Sequence, residues 1–386
     1  MNGKKQTVLD AVPFWIALAL PLLVVWAAVS GGWVILAVPF FSWFAMSLLD
    51  AALGRTDINL DPNTPNSALF WYNIVLWLWA PIQLATQFGV LIYVASTTHL
   101  SVIEIFGVFF GVGILAGTVG IVYAHELMHR PSRWERALAD LLMASVLYGH
   151  FRTEHLLVHH RHVGTPRDAV TARYNEGFHR FFFRVVPACF RSAWAAEAAQ
   201  CARLGRPKWH WTNPFWKYGV LQAAFALAAL AIGGWLGLVA FAFQAPVAIW
   251  QLELVNYVEH YGLTRKYLGD GKYEPTGPHH SWNTTYSATN WLLINLQRHS
   301  DHHAKPARPF PLLQARDGEN VPQLPRGYPI MTTAAMIPPI WRRVMNPRVR
   351  KWRAQFYPEI ADWGPYNRAE VPVRNSLSPV EHDLTA

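Results

Sequence analysis

Six runs of apolar residues organise this 386-residue chain, and polar segments of very different length separate them. The runs occupy residues 12–29, 33–53, 70–97, 101–124, 216–236 and 238–258. As a helix, each run is long enough to cross the roughly 30 Å of a bilayer's hydrocarbon. Short turns without Lys or Arg join the runs in pairs, at residues 30–32, 97–99 and 233–235. The pattern therefore predicts an all-α integral membrane protein with six transmembrane helices in three hairpins.

The polar parts of the chain contain weaker apolar segments. Residues 137–148 and 178–204 are apolar but interrupted by charges, which predicts helices that lie at the membrane interface. Residues 328–341 are too short and too rich in proline for a further span. The Arg-, Trp- and Pro-rich tail after residue 345 predicts an irregular cap. We find no internal repeat or low-complexity linker, so we expect one membrane-embedded domain over residues 1–386.

The charge pattern orients the chain. Its 33 Lys and Arg residues outnumber its 24 Asp and Glu residues, which gives a formal net charge of +9. If there are six crossings, all the Lys and Arg residues lie on the side of the runs that contains the N-terminus. By the positive-inside rule that side is the cytoplasm. We therefore expect a multi-pass protein of the inner membrane with both termini, and the polar segments 125–212 and 259–386, in the cytoplasm. The chain lacks a zinc-finger, RNP or helix-turn-helix pattern, so topology and attraction to membrane lipid explain the charge better than nucleic acid.

Three short segments repeat histidines at spacings that place them on one face of a helix. They are His125-Glu126-Leu127-Met128-His129, Glu154-His155-Leu156-Leu157-Val158-His159-His160 and His299-Ser300-Asp301-His302-His303. The sixth run delivers His260 at the same membrane level as the first segment. A lone histidine is usually a hydrogen-bonded or surface residue, but this clustering favours metal ligation. The predicted ligands are His125, His129, His155, His159, His160, His260, His299, His302 and His303.

Nine imidazoles exceed the needs of one ion, so the sequence predicts two metal ions. Imidazole binds Zn, Cu, Ni and Fe alike, but zinc has no redox chemistry. A pair of metal ions that is bound by imidazole nitrogens and opens toward lipid suits the activation of O2 against an apolar substrate. This favours two non-haem irons.

Four carboxylates lie beside the predicted ligands. Glu126, Glu154 and Glu259 each adjoin a predicted ligand and are expected to hold the distal N–H of a neighbouring imidazole. Direct ligation and simple surface charge are the alternatives. Asp301, on the ligand helix, is a further candidate for the same role.

The three histidine segments resemble the histidine boxes of the integral-membrane non-haem di-iron superfamily, which contains desaturases, hydroxylases and alkane hydroxylases. The stretch Asn256-Tyr257-Val258-Glu259-His260-Tyr261-Gly262, followed by Gly277-Pro278-His279-His280-Ser281-Trp282-Asn283, is similar to the alkane 1-monooxygenase branch. The likeness runs from about the first apolar run to residue 344. It implies six spans, two irons on the nine histidines named above, and hydroxylation of the terminal methyl of an n-alkane with O2. It does not make His279 or His280 iron ligands, so we expect supporting roles for both.

Electrons must come from another protein. Cys189 and Cys201 form no Cys-x-x-Cys pair, so the sequence contains no iron–sulfur or rubredoxin-like module. The resemblance implies a separate rubredoxin-type carrier with its NAD(P)H reductase. An acidic carrier would be attracted to the basic cytoplasmic face, where Lys305 and Arg308 near the third histidine segment are the expected contacts.

Three alternatives stand beside the alkane hydroxylase. The first histidine segment also occurs in xylene-type monooxygenases, which act on aryl-methyl groups, and Val158 stands where alkane hydroxylases usually have a site-widening Gly. A lipid desaturase or hydroxylase of the same superfamily is the second alternative. The third, a histidine-rich metal transporter, should carry its ionisable ligands at the midplane of several spans, whereas these histidines gather at span ends.

Overall fold

The computed structural model describes residues 7–316 and 320–372, and helices make up most of that part of the chain. Five helices are long and apolar enough to cross a membrane. They are Val8–Ser30, Gly32–Leu53, Asn66–Ser96, Val102–Met128 and Phe215–His260. Every predicted apolar run overlaps one of these helices, so the predicted helical membrane fold is confirmed.

The helix Phe215–His260 is 46 residues long, about twice the length that one crossing needs. It contains a break at Gly234, whose φ of 59° and ψ of −153° are not helical. A Cβ atom on Gly237 would lie 2.9 Å from the carbonyl oxygen of Ala229. Residues eight apart in a straight helix are separated by about 12 Å, so the two halves fold back on each other. This reversal lies at the predicted turn, while the count of six crossings stays a prediction.

The fourth long helix, Val102–Met128, packs closely against the second half of Phe215–His260. A Cβ on Gly113 would lie 2.7 Å from the carbonyl oxygen of Gln244, and one on Gly117 would lie 2.8 Å from the Cα of Ala248. Only glycine allows the two backbones to approach this closely. The contact holds the ends of both helices at one level, and those ends carry His125 and His260.

Shorter elements form the rest of the described chain. The helices are Arg133–Ser145, Phe178–Arg203, Ser287–Leu292, His299–Ala304, Tyr328–Ala335, Pro338–Phe356 and Gly364–Arg368, with helical turns at residues 151–162, Pro278–His280 and Phe310–Leu312. The strands Tyr267–Gly269 and Lys272–Tyr273 pair antiparallel in a small hairpin.

One expectation about these elements is wrong in part. The tail after residue 345 begins as a helix, because Pro338–Phe356 runs into it, and residues 373–386 of that tail lie outside the described part of the chain. The two leading prolines of Pro338–Phe356 begin the helix, since proline is tolerated in a first turn where the N–H would be unpaired. The fourth long helix continues beyond the apolar run 101–124 to Met128, so His125 lies inside that helix, as the helical spacing of His125 and His129 requires.

Candidate metal centre

The fourth long helix positions the first histidine cluster. His125 stands in its last turn and His129 follows directly as its C-cap. The two residues are four apart and share one helical face, as their spacing predicts. Their ring centroids are 5.1 Å apart.

The second cluster departs from α-helical spacing. Residues Glu154–His159 form a π-helix, in which hydrogen bonds run from residue i to i+5 and the turn is wider. His155 and His160 are five apart and therefore share a face, with their Nε2 atoms 2.9 Å apart. His159 turns instead toward His260, at a centroid separation of 4.8 Å. The expectation that His155 and His159 act from one α-helical face is wrong for this reason.

The third cluster lies in the helix His299–Ala304, as expected. The chain reaches it through a tight reversal, in which Ile294 and Asn295 have positive φ values of 44° and 59°. Such conformations are unfavourable for residues with a Cβ and persist where surrounding contacts fix them. Arg298 supplies one such contact, since its guanidinium donates to the Leu313 carbonyl at 2.6 Å.

All nine predicted histidines converge in two buried or half-buried groups, and the candidate ligand atoms of each group lie within 4.8 Å of one another. The five-imidazole group is His125, His129, His155, His160 and His302, and the four-imidazole group is His159, His260, His299 and His303. The groups adjoin, because the ring centroids of His160 and His303 are 4.9 Å apart.

The contacts within each group fit a bound cation better than hydrogen bonds between rings. The Nε2 atoms of His129, His155 and His160 lie 2.9, 3.0 and 3.2 Å apart in pairs. A ring nitrogen of a neutral imidazole either donates a proton or offers a lone pair, so three mutually facing nitrogens must leave at least one mismatched pair. A cation among them accepts all three lone pairs. In the four-imidazole group, His299 Nε2 faces those of both His260 and His303, at 3.2 and 3.1 Å.

Burial favours, at six of these imidazoles, the neutral form that a metal requires. Desolvation, helped by the charge of neighbouring rings, lowers the pKa of His129 to about 4. The same two causes hold the pKa well below its ordinary value at His155, His160, His299, His302 and His303.

Asp168, which sequence reasoning missed, orients one imidazole. Its Oδ2 lies 3.1 Å from His159 Nδ1 and accepts a hydrogen bond of 2.8 Å from the Thr171 hydroxyl. A proton on Nδ1 leaves the His159 Nε2 lone pair free for a metal. Burial alone would raise the pKa of Asp168, but the facing His159 lowers it below its ordinary value. Asp168 lies in a loop, where no periodic pattern could have singled it out.

Glu259 meets the imidazoles from an unexpected side. Its Oε2 is 3.3 Å from Nε2 of His299, the nitrogen that faces the group, and not from the distal Nδ1. Its Oε1 accepts a hydrogen bond of 2.6 Å from the hydroxyl of Tyr328, a residue that the sequence did not indicate. Glu259 is therefore placed to bind a metal directly or to hold a proton beside it.

The other two glutamates have different surroundings. Glu126 forms an ion pair of 2.7 Å with Arg130 and accepts the Phe310 N–H at 3.1 Å, so it ties the first cluster to the loop after the third. Glu154 is fully buried, and its carboxyl oxygens accept no N–H or O–H from the described residues. Burial raises the pKa of Glu154 well above its ordinary value.

Asp301 points away from the imidazoles into a basic pair. It forms ion pairs with Arg308 and, at 2.9 Å, with Arg316, and it accepts the Gln314 N–H at 3.1 Å. These contacts order the chain that follows the third cluster. Arg308 is thereby committed to a buried carboxylate, which makes it a poor contact for a docking partner.

A separate group outside the nine histidines, Glu274 with His279 and His280, also brings potential ligand atoms within 4.8 Å of one another. The Nδ1 of His280 accepts the Gly277 N–H at 2.7 Å, so the ring proton sits on Nε2. That Nε2 faces the hydroxyl of Tyr357 at 2.9 Å. With its Nε2 acting as a donor, His280 belongs to a hydrogen-bond network and not to a metal site, in line with the supporting role expected of it.

A narrow cavity of about 70 Å³ adjoins both imidazole groups. His125, His155, His299 and Glu259 line it together with apolar side chains of the long helices. A wider apolar hollow of about 720 Å³, lined by residues such as Leu36, Phe40, Phe110 and Val247, lies beside it. Trp43 and Gln251 line both spaces.

These features define a helical membrane protein with a histidine-rich site that could hold metal ions. The fatty acid desaturase family model matches residues 100–335, a stretch that contains all nine histidines. Alkane 1-monooxygenase 1 of Pseudomonas aeruginosa is 39% identical over 310 residues, which are 80% of this chain and 81% of that protein. Alkane 1-monooxygenase of Pseudomonas putida is 37% identical over 373 residues, 91% of this chain and 90% of that protein. The chain therefore belongs to the fatty acid desaturase family and, within it, to the alkane 1-monooxygenases.

A more distant relative bears on the alternative substrate. The hydroxylase component of xylene/toluene monooxygenase from Pseudomonas putida is 26% identical over 334 residues, 85% of each chain. The lower identity over a similar length favours the alkane enzymes as the nearer kin. The metal transporter of the sequence analysis finds no support among these relatives.

Proposed function

We propose that this chain is a di-iron monooxygenase that hydroxylates the terminal methyl of an n-alkane to a 1-alcohol. The overall conversion takes R–H, O2, two electrons and two protons to R–OH and water. The observation that carries the proposal is the shared wall of the narrow cavity, where imidazoles of both groups meet apolar side chains. An alkane in that cavity would lie beside the metal positions and away from bulk water.

Each imidazole group would hold one iron, which when bound would supply the activation of O2. The five-imidazole group offers five nitrogens, and the four-imidazole group offers four with the Glu259 carboxylate adjacent. Both counts suit a four- to six-coordinate ion. Asp168 would keep His159 in the right tautomer, and Tyr328 would orient Glu259 through its hydroxyl. A carboxylate in this position can hold or release a proton within reach of the reacting atoms.

The wide hollow would admit substrate from lipid. Its described lining is almost wholly apolar and comes mainly from the long apolar helices, with Thr333 and Met336 added from the region of the helix Tyr328–Ala335. Trp43 and Gln251 stand between it and the narrow cavity, so an alkane would pass them before reaching the imidazoles. The length of chain accepted would then depend on how these two side chains part.

The remaining parts of the proposal concern orientation and electrons. We place one domain in the inner membrane by six crossings, with the imidazoles on the cytoplasmic side, because the basic residues gather on that side. A separate rubredoxin-type carrier, reduced by an NAD(P)H reductase, would supply electrons, because the sequence has only Cys189 and Cys201 and no Cys-x-x-Cys motif.

Product analysis tests this function directly. Cells that express the chain with rubredoxin and its reductase are offered octane, hexadecane and toluene, and cells with His125→Ala serve as the background control. Formation of 1-octanol or 1-hexadecanol above that background is expected. Benzyl alcohol alone would favour the aryl-methyl alternative, and unsaturated lipid without any alcohol would favour a desaturase.

A further inference from the structure

A basic groove lies on the part of the protein outside the long apolar helices, and its volume is about 900 Å³. One wall is the helix Pro338–Phe356, which carries six Lys or Arg residues and no Asp or Glu. Arg348 and Lys351 of that helix are exposed and line the groove. The described residues of the lining include no carboxylate.

The floor of this groove is connected to the four-imidazole group. Trp282 lines the groove although only 3% of its surface is exposed. Its backbone N–H donates to the Glu259 carbonyl, and its indole N–H donates to the Tyr261 carbonyl, both at 2.9 Å. The two acceptors flank His260 on either side. A single residue of the groove therefore bonds to both chain neighbours of a histidine of the metal centre.

A second connection runs through the next residue. Asn283 Oδ1 accepts the Ser300 N–H at 2.8 Å, and Ser300 follows His299 in the chain. The backbone N–H of Asn283 donates to the Pro322 carbonyl at 3.0 Å, and Pro322 lines the groove. Residues 282 and 283 thus touch the neighbours of both His260 and His299, and both histidines belong to the four-imidazole group.

We propose that this groove is the docking surface for an acidic one-electron carrier protein, and that electrons would pass by way of Trp282 to the metal ion that the four-imidazole group would hold. This inference rests on the proposed function and deepens it by naming where the partner binds. Two encounters, each oxidising one reduced carrier by one electron, supply the two electrons of a turnover, and two protons come from solvent. The basic lining fits an acidic partner, and the described residues of the groove carry no carboxylate that would repel one.

Of the two contacts expected from the sequence, Lys305 stays a prediction, whereas Arg308 is a poor probe of docking. Arg308 is held by the buried carboxylate of Asp301, so reversing its charge would disturb the third histidine cluster as well as any docking. Arg348 and Lys351 have no acidic partner among the ion pairs of the described chain. Their substitution tests docking without that complication.

The test uses full-length protein in membranes, octane, and reduced rubredoxin at varied concentration. Arg348→Glu with Lys351→Glu should lower kcat/KM for rubredoxin by about tenfold at low ionic strength, because steering by charge acts mainly on the association rate. The kcat at saturating rubredoxin should stay unchanged, and the difference from wild type should shrink as salt is added. The matched control is Arg206→Glu with Lys208→Glu, an exposed pair in another loop with the same change in net charge. It should stay within about twofold of wild type.

A second readout separates docking from chemistry. Dithionite reduces the protein without any carrier, and single-turnover formation of 1-octanol is then measured. Trp282→Phe should slow rubredoxin-driven turnover at saturating carrier by a larger factor than it lowers the dithionite-driven yield. An equal fall in kcat/KM for rubredoxin in the groove pair and in the control pair would overturn the docking surface. Unchanged kinetics in both the groove pair and Trp282→Phe would also overturn it. Absence of 1-octanol from dithionite-reduced wild type would instead overturn the proposed function.

Discussion

Removing the negative charge of Asp168 should weaken one metal site and spare the other. In the wild-type protein Asp168 Oδ2 lies 3.1 Å from His159 Nδ1. Asp168→Asn keeps a side-chain oxygen that can face this nitrogen, but it loses the charge that favours the ligating tautomer. Loss of such a carboxylate partner typically costs about 10–100-fold in metal affinity, or about 1.4–2.7 kcal/mol. Since His159 belongs to the four-imidazole group alone, we expect one of two irons to be lost first.

The assay is iron content per chain during competition with a chelator of known affinity. The matched control is Asp140→Asn, which also removes a buried carboxylate, paired there with Arg152 at 2.9 Å and with Lys217. Asp140 belongs to neither imidazole group. The wild type and the control should each release both irons over a single range of chelator concentration. Asp168→Asn should release its two irons in two separate steps. If Asp168→Asn released both irons together, or held both as tightly as wild type, the proposed role of Asp168 would be refuted.

Three further changes probe other parts of the structure. His260→Ala should abolish hydroxylation while membrane insertion stays intact, and His99→Ala, at an exposed hairpin tip, should be nearly silent in the same octane assay. Iron retention after dialysis should hardly change between pH 8 and 6, because burial lowers the pKa of His129 to about 4 and holds the pKa of five further ligands well below its ordinary value; a tenfold loss by pH 6 would contradict this. Trp43→Ala should join the narrow cavity to the wide hollow and shift the product distribution from 1-octanol toward 1-hexadecanol, and an unchanged ratio would place the size limit elsewhere.

Local spacing predicted those parts of the site where the backbone is a regular α-helix. His299 and His303 share a face because they are four residues apart in a helix, and His125 and His129 do so for the same reason. The π-helix at residues 154–159 could not be anticipated, because it changes the period from four to five within one turn. It therefore assigns His159 and His160 to different groups.

Residues that act through long-range contacts were the least predictable. Asp168 reaches His159 from a loop, and Tyr328 reaches Glu259 across 69 residues of sequence. Asp301 looked like a partner for the ligand helix but is held by Arg308 and Arg316 instead. These pairings depend on how the loops fold over the site. Neither the hydrophobic periodicity nor the composition of the sequence predicts them.

The central claim is that two irons held by the nine histidines insert one oxygen atom of O2 into an alkane. The most direct measurement uses purified, iron-loaded protein with octane, reduced rubredoxin and isotopically labelled 18O2. We predict about two irons per chain and 1-octanol that carries one 18O atom. Active protein with stoichiometric zinc and no iron, or 1-octanol whose oxygen comes from water, would contradict the account.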